Sequence, residues 1–119
     1  MHGTTRTRPS AVATRTGVNA VVWIEPGRAL LARGAVGEEP TVIETPIPHT
    51  PTATLPALAT VARQVGEVDR VLILGTDELR TALEREIVAI GHRPETIREA
   101  ALEGPVDRDL LVARLSRLT

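Results

Sequence analysis

The sequence predicts a single α/β domain built on a five-stranded mixed sheet with helices on both faces. Three observations lead to this prediction: three short β-type segments open the domain, an unbroken apolar tetrad lies at its centre, and helical patterns follow the third, fourth and fifth strands. The 119 residues have room for one core, and an apolar content of 42% can fill it.

Composition excludes several kinds of protein. The chain has no cysteine, which rules out disulfides, thiolate metal sites and a cysteine nucleophile. No apolar run approaches the roughly 20 residues of a membrane span, and the N-terminus is polar, so we expect a cytoplasmic protein without membrane contact. The net charge of −1 argues against a broad attraction to nucleic acid.

The first 17 residues differ from the rest of the chain. They are rich in Thr, Arg, Gly and Pro, and they carry Arg6, Arg8 and Arg15 with no acid. A segment with so little to bury cannot offset the entropy lost on ordering. We therefore predict a disordered basic tail over residues 1–17 and a folded domain over residues 18–119.

The domain opens with three strands. A β-branched run at 18–24 ends at Glu25-Pro26-Gly27, a strand followed by a turn, and 28–36 returns as the second strand of a hairpin. Residues 41–45 form a third strand at the edge of the sheet. Between 46 and 54 stand three prolines and three threonines, so we expect an exposed loop there that is neither helix nor strand.

Helices and strands alternate in the rest of the chain. The predicted elements are a helix from about Leu55 to Gly66, a central strand at 71–74, a helix from its N-cap Thr76 to Gly91, a weak strand at 95–102 and a last helix opened by Pro105. The order β-β-β-α-β-α-β-α, with right-handed crossovers, is the ribonuclease-H-like topology.

Three segments carry a family resemblance. They are Val21-Val22-Trp23-Ile24-Glu25 with Arg28-Ala29, the strand-to-helix stretch at 71–81, and the helix start at 105–113. In this order and spacing they resemble small bacterial proteins similar to the central domain of the archaeal and eukaryotic peptide release factors and of Pelota, which are grouped with translational machinery components. The resemblance implies the ribonuclease-H-like fold and a role in translation.

Two departures from that family bear on function. Its strand-to-helix turn is usually Gly-Pro-Gly followed by a basic residue, whereas here Thr76 and Asp77 follow Gly75 and Arg80 holds the basic position. Release factors also carry Gly-Gly-Gln in the loop corresponding to 46–54, and this sequence contains no such tripeptide. We therefore expect a non-catalytic binding module, without peptide release and without a cofactor.

Arginines supply the candidate binding residues. Arg28, Arg80 and Arg93, with His49, could contact the ribosome or another structured RNA. Because Phe and Tyr are absent, such contact would read phosphates or shape rather than stack on bases.

Two alternatives stay open. In a divalent-metal nuclease, Glu25, Asp77 and Asp109 (or Asp107 in place of Asp109) would hold Mg²⁺, although acids are favoured in helix first turns in any case. In a small homo-oligomeric interaction domain, the third strand would be the exposed edge that pairs with a second copy.

Overall fold

Five strands form one mixed sheet, flanked by three helices, in the computed structural model, which describes residues 16–35, 37–101 and 106–118. The strands are β1 (Val18–Glu25), β2 (Gly27–Ala35), β3 (Thr41–Ile47), β4 (Arg70–Gly75) and β5 (Ile97–Ala100), and the helices are α1 (Pro51–Val65), α2 (Asp77–Ala89) and α3 (Arg108–Arg117). The strand order is β3-β2-β1-β4-β5. The predicted ribonuclease-H-like α/β fold is confirmed.

The first three strands form an antiparallel meander, and β4 and β5 add in parallel. Glu25 pairs with Arg28 across the β1–β2 turn, where Gly27 has a φ of 106° that suits the third position of a type II turn after Pro26. β1 pairs in parallel with β4, and β4 with β5. The hairpin therefore sets the register onto which the later strands are added.

β1 is buried on both faces, which is why its sequence is apolar without interruption. Ala20, Val22 and Ile24 face α1 and α2, whereas Val21 and Trp23 face α3. Successive side chains of a strand point to opposite faces, so this one strand contributes to both hydrophobic cores.

α1 connects β3 to β4, and α2 connects β4 to β5. Both connections are right-handed crossovers that run in the same direction across the sheet, so the two helices lie on the same face. All three helices end at what we call the amino end of the sheet, where β1 and β4 begin. There the His92 ring nitrogen Nε2 lies 2.7 Å from the Gly66 carbonyl oxygen, and Arg70 Nη1 donates to the Leu118 carbonyl at 3.1 Å. We call the opposite end of the sheet the carboxyl end.

The interval 46–54 departs from the prediction. β3 continues through Pro46 to Ile47, and α1 begins at Pro51, so only 48–50 connects them. Pro46 is tolerated because β3 is an edge strand, where half of the backbone groups face away from the ladder. Pro51 occupies a first helical position that needs no N–H donor, and Ile47 is buried. The predicted loop across the whole interval was wrong.

Other boundaries shift by smaller amounts. A 3₁₀ turn at Pro94–Thr96 precedes β5, which is shorter than the predicted strand at 95–102. The N-cap position of α2 is Thr76 as predicted, but its hydroxyl makes no capping hydrogen bond. Pro105, predicted to open the last helix, lies outside the described residues.

The predicted tail is described only at its last two residues. The Asp69 carboxylate accepts hydrogen bonds from the Thr16 amide at 2.8 Å and from the Gly17 amide at 2.9 Å. This contact attaches the chain to the amino end of the sheet just before β1. None of the helices in the described ranges has the length and apolar character needed to cross a bilayer.

Candidate functional site

A shallow cleft of about 410 Å³ opens at the carboxyl end, between the last residues of β1 and β4. It is lined by Trp23, Ile24, Glu25, Gly75, Thr76, Asp77 and Ala101. From β1 the chain turns back into β2 on one side, and from β4 it leaves through α2 toward the other. Crevices at such a divergence are the usual ligand positions in open α/β sheets.

Gly75 forms the floor of the cleft and approaches β1 closely. Its φ is 127°, and a Cβ atom built on it would overlap the carbonyl oxygen of Ile24. The Thr76 amide donates to that same oxygen at 3.3 Å. Only glycine fits both the dihedral angle and the space. This explains why Gly75 is present here although the other two residues of the family's Gly-Pro-Gly turn are replaced.

Arg28 lies beside the cleft among acidic and aromatic groups. Its Nε atom is 3.3 Å from Glu25 Oε2, its Nη1 atom is 3.6 Å from Glu44 Oε1, and its guanidinium carbon is 5.0 Å from the centroid of the Trp23 ring. This stacked position suits a cation–π contact. Two carboxylates within the protein, those of Glu25 and Glu44, thus already offset the positive charge of Arg28.

Arg80 is placed inside the fold rather than at its surface. Its side chain is 13% exposed, pairs with Asp77, and has its Nη1 atom 3.9 Å from Glu99 Oε1. Burial raises the pKa of Glu99, and so do the hydrogen bond that its protonated carboxyl donates to Glu84 and the negative charge of Glu84, while the positive charge of Arg80 lowers this pKa. Arg80 therefore links α2 to β5 and offers little of its guanidinium to a phosphate.

The other two predicted binding residues lie at opposite ends of the molecule. His49 is exposed near the β1–β2 turn, where its Nε2 atom is 3.9 Å from a Cβ built on Gly27. Arg93 follows α2 at the amino end, with a side chain that is 81% exposed and 3.9 Å from Glu95. The structure therefore groups Arg28 with His49 and separates both from Arg93.

The carboxylates of the nuclease alternative are only partly brought together. Glu25 and Asp77 line one cleft, while Asp109 lies in the first turn of α3 and is not among the lining residues. Asp107 caps that helix by accepting a bond from the Leu110 amide at 2.9 Å. Within the part of the chain described, no three His, Asp or Glu side chains are grouped to hold a metal ion. This geometry gives the nuclease alternative no support.

Sequence reasoning missed the role of Arg33. Its Nε atom donates to the Val65 carbonyl at 2.9 Å, and its Nη2 atom donates to the Glu67 carbonyl at 3.1 Å. The guanidinium thereby satisfies carbonyls at the C-terminus of α1, where a cation is also favoured by the helix dipole. These partners are more than 30 residues away, and no local signal in the sequence points to them.

A second group of arginines stands at the amino end. Arg114 and Arg117 lie in the last turn of α3, and Arg70, at the start of β4, donates to the carbonyl of Leu118 directly after that turn. Arg70 and Arg117 are exposed, and Arg114 is half-buried. The packing of α3 against the sheet therefore places three arginines near one another at the amino end.

Comparison with known proteins shows what the fold resembles. No family model matches the sequence, and no curated protein does. Among solved structures, Archaeoglobus fulgidus Pelota is similar with a TM-score of 0.60 and 12% identity, over 90% of this chain and 33% of that one. An archaeal translation termination factor is similar with a TM-score of 0.53 and 10% identity, over 85% and 35%.

The chain thus spans about a third of the length of each of these proteins. At such low identity the likeness concerns the fold. In fold, the chain resembles Pelota and the archaeal termination factor, as its three sequence segments predicted.

Proposed function

We propose that this protein is a non-catalytic binding module of the translation-machinery type, which contacts the ribosome or another structured RNA. The supporting observation is the fold shared with Pelota and with an archaeal translation termination factor over at least 85% of this chain. A cytoplasmic location without membrane contact belongs to the same proposal.

The non-catalytic part of the proposal is supported by the connection between β3 and α1. Release factors place Gly-Gly-Gln in the corresponding loop, whereas this connection is 48–50, Pro-His-Thr. The connection is short, and α1 begins immediately after it at Pro51. No residue there reproduces the peptide-release tripeptide, so we expect no hydrolysis of peptidyl-tRNA.

The mode of contact follows from the aromatic content. Trp23 is the only aromatic residue, and it is 6% exposed beneath the guanidinium of Arg28. Unpaired bases would find no ring on which to stack. The contact is therefore with phosphates and with the shape of a helical RNA.

Co-sedimentation tests the proposal directly. The full chain is centrifuged with ribosomes at low and at high salt, and its binding to a labelled RNA hairpin and to a single strand of equal length is measured by fluorescence anisotropy. We expect co-sedimentation at low salt, release at high salt, and tighter binding of the hairpin. Absence of ribosome and RNA binding even at the lowest salt would overturn the proposal.

A release assay tests the catalytic question separately. Ribosomes loaded with labelled peptidyl-tRNA are incubated with the protein, with a Gly-Gly-Gln release factor as the positive control. We expect no labelled peptide to be released. Release that depends on the protein would contradict its assignment as a non-catalytic module while leaving RNA binding intact.

A further inference from the structure

Formal charges are distributed unevenly between the two ends of the sheet. Around the carboxyl end, six acids stand against three arginines among the described residues. The acids are Glu25, Glu44, Asp77, Glu78, Asp107 and Asp109, and the arginines are Arg28, Arg80 and Arg108. A polyanion approaching the cleft would meet a surplus of like charge.

The amino end has a corner of opposite character, which we call the arginine corner and define as Arg70, Arg114 and Arg117. The bond from Arg70 Nη1 to the Leu118 carbonyl, at 3.1 Å, holds the first guanidinium at the end of the helix that carries the other two. Within the described part of the chain, none of the three forms an ion pair, in contrast to Arg28, Arg80 and Arg93.

Other charges of the amino end are arranged around this corner. Asp69, next to Arg70, directs its carboxylate to the Thr16 and Gly17 amides. Glu95 pairs with Arg93, and Arg33 donates to the backbone carbonyl of Glu67 rather than to its carboxylate. Asp69 and Glu67 keep their negative charges, and the exposed Glu38 and Glu39 lie at the same end, in the turn between β2 and β3. The surplus of positive charge at this end is therefore confined to the three guanidinium groups of the arginine corner.

The basic N-terminal segment joins the folded domain at the same place. Residues 1–17 hold three of the 14 arginines, Arg6, Arg8 and Arg15, and none of the 15 acids. The rest of the chain therefore has 11 arginines against 15 acids, a net charge of −4. Asp69 holds Thr16 and Gly17, the two described residues of this segment, beside Arg70.

We propose that the arginine corner contacts the phosphate backbone of RNA and that the carboxyl-end cleft faces away from the RNA. This inference rests on the proposed function, and it names the surface that performs it. Arginine suits the role because its planar guanidinium can donate two parallel hydrogen bonds to one phosphate.

The inference makes a quantitative statement about salt. Each neutralised phosphate contributes about 0.7 to 0.9 to the slope of log K against log salt concentration. Loss of the three corner arginines should therefore reduce the slope by roughly 2 to 3.

A matched pair of variants tests this assignment in the full chain. The corner variant is Arg70→Gln with Arg114→Gln and Arg117→Gln, and the control is Arg85→Gln with Arg98→Gln and Arg108→Gln, three exposed arginines placed elsewhere. Binding of a labelled RNA duplex is measured by anisotropy from low to physiological salt. We expect at least a tenfold loss of affinity and the shallower slope in the corner variant only.

Two further measurements make the test sharper. Trp23 lines the cleft at the far end, so its fluorescence should not change when RNA binds. Thermal melting checks that each variant is folded, and Arg114→Gln with Arg117→Gln retains the bond from Arg70 if the triple variant is unstable.

The outcomes separate the two proposals. If wild-type protein binds neither ribosomes nor RNA, the proposed function itself fails, whereas binding of ribosomes without any binding of the RNA duplex overturns only the inference about the arginine corner. If wild-type protein binds RNA but the corner and control variants lose equal affinity, the function stands and the arginine corner is wrong. Quenching of Trp23 by RNA would likewise place the contact at the cleft and overturn the inference.

Discussion

Gly75 approaches Ile24 so closely that any side chain on Gly75 would overlap the carbonyl oxygen of Ile24. The two residues are paired in the parallel ladder between β1 and β4, and the same carbonyl accepts the Thr76 amide. The end of the central strand pair, and with it the floor of the cleft, therefore depends on the absence of one methyl group.

Gly75→Ala should destabilise the protein by about 3 kcal/mol, because it combines an unfavourable φ with a backbone collision. The free energy of unfolding in urea measures the effect. Gly91→Ala is the control, since its φ is 115° but no atom outside its chain neighbours lies within 4 Å of the added Cβ. We expect a loss of about 1 kcal/mol there. Equal losses in both variants would contradict the role of the Ile24 contact.

Arg33→Gln should cost about 1.5 to 3 kcal/mol, because two carbonyls at the end of α1 lose a charged donor. Arg63→Gln removes an exposed arginine from the last turn of the same helix, one that contacts only Thr60 among described partners. It should change the free energy of unfolding by less than about 0.5 kcal/mol. A neutral effect of Arg33→Gln in urea unfolding would show that solvent replaces its hydrogen bonds.

Glu99 should make part of the stability dependent on pH. Burial raises the pKa of Glu99 above its usual 4.5, as does the neighbouring Glu84, so the folded protein holds this proton more tightly than the unfolded chain. The resulting stabilisation is fully present below pH 4.5 and is lost as the pH rises through the raised value.

Glu99→Gln should remove that loss, so unfolding free energies measured between acid and neutral pH should fall less steeply than in the wild type. Glu67→Gln, at an exposed position, is the control. Parallel curves for wild type and Glu99→Gln would argue against proton uptake at this site.

The edge strand β3 supplies the last prediction. Pro46 removes a donor from the strand and Glu44 adds charge, and both features discourage pairing with a second copy. Replacing both by Thr should therefore increase self-association, measured by light scattering at rising concentration. The double variant Glu78→Thr with Arg85→Thr on α2 is the control, because it removes exposed charged side chains away from the edge strand. The homo-oligomer alternative predicts instead that wild-type protein already associates through this edge.

The sequence by itself determined the order of elements and the residues of the core. Burial on both faces requires continuous apolar runs, as at 18–24 and 71–74, and burial of one helical face requires the spacing seen at Leu58, Val61 and Val65. These are local patterns, so they can be read along the chain.

Only the tertiary structure decided where the charged residues lie and which prolines are tolerated. Pro46 fits because β3 is at the edge of the sheet, and Arg80 is enclosed because α2 packs near β5. Arg28 and Arg70 lie at opposite ends of the sheet although both were simply basic residues in the sequence. Contacts between residues distant in the chain set these positions, and no local pattern encodes them.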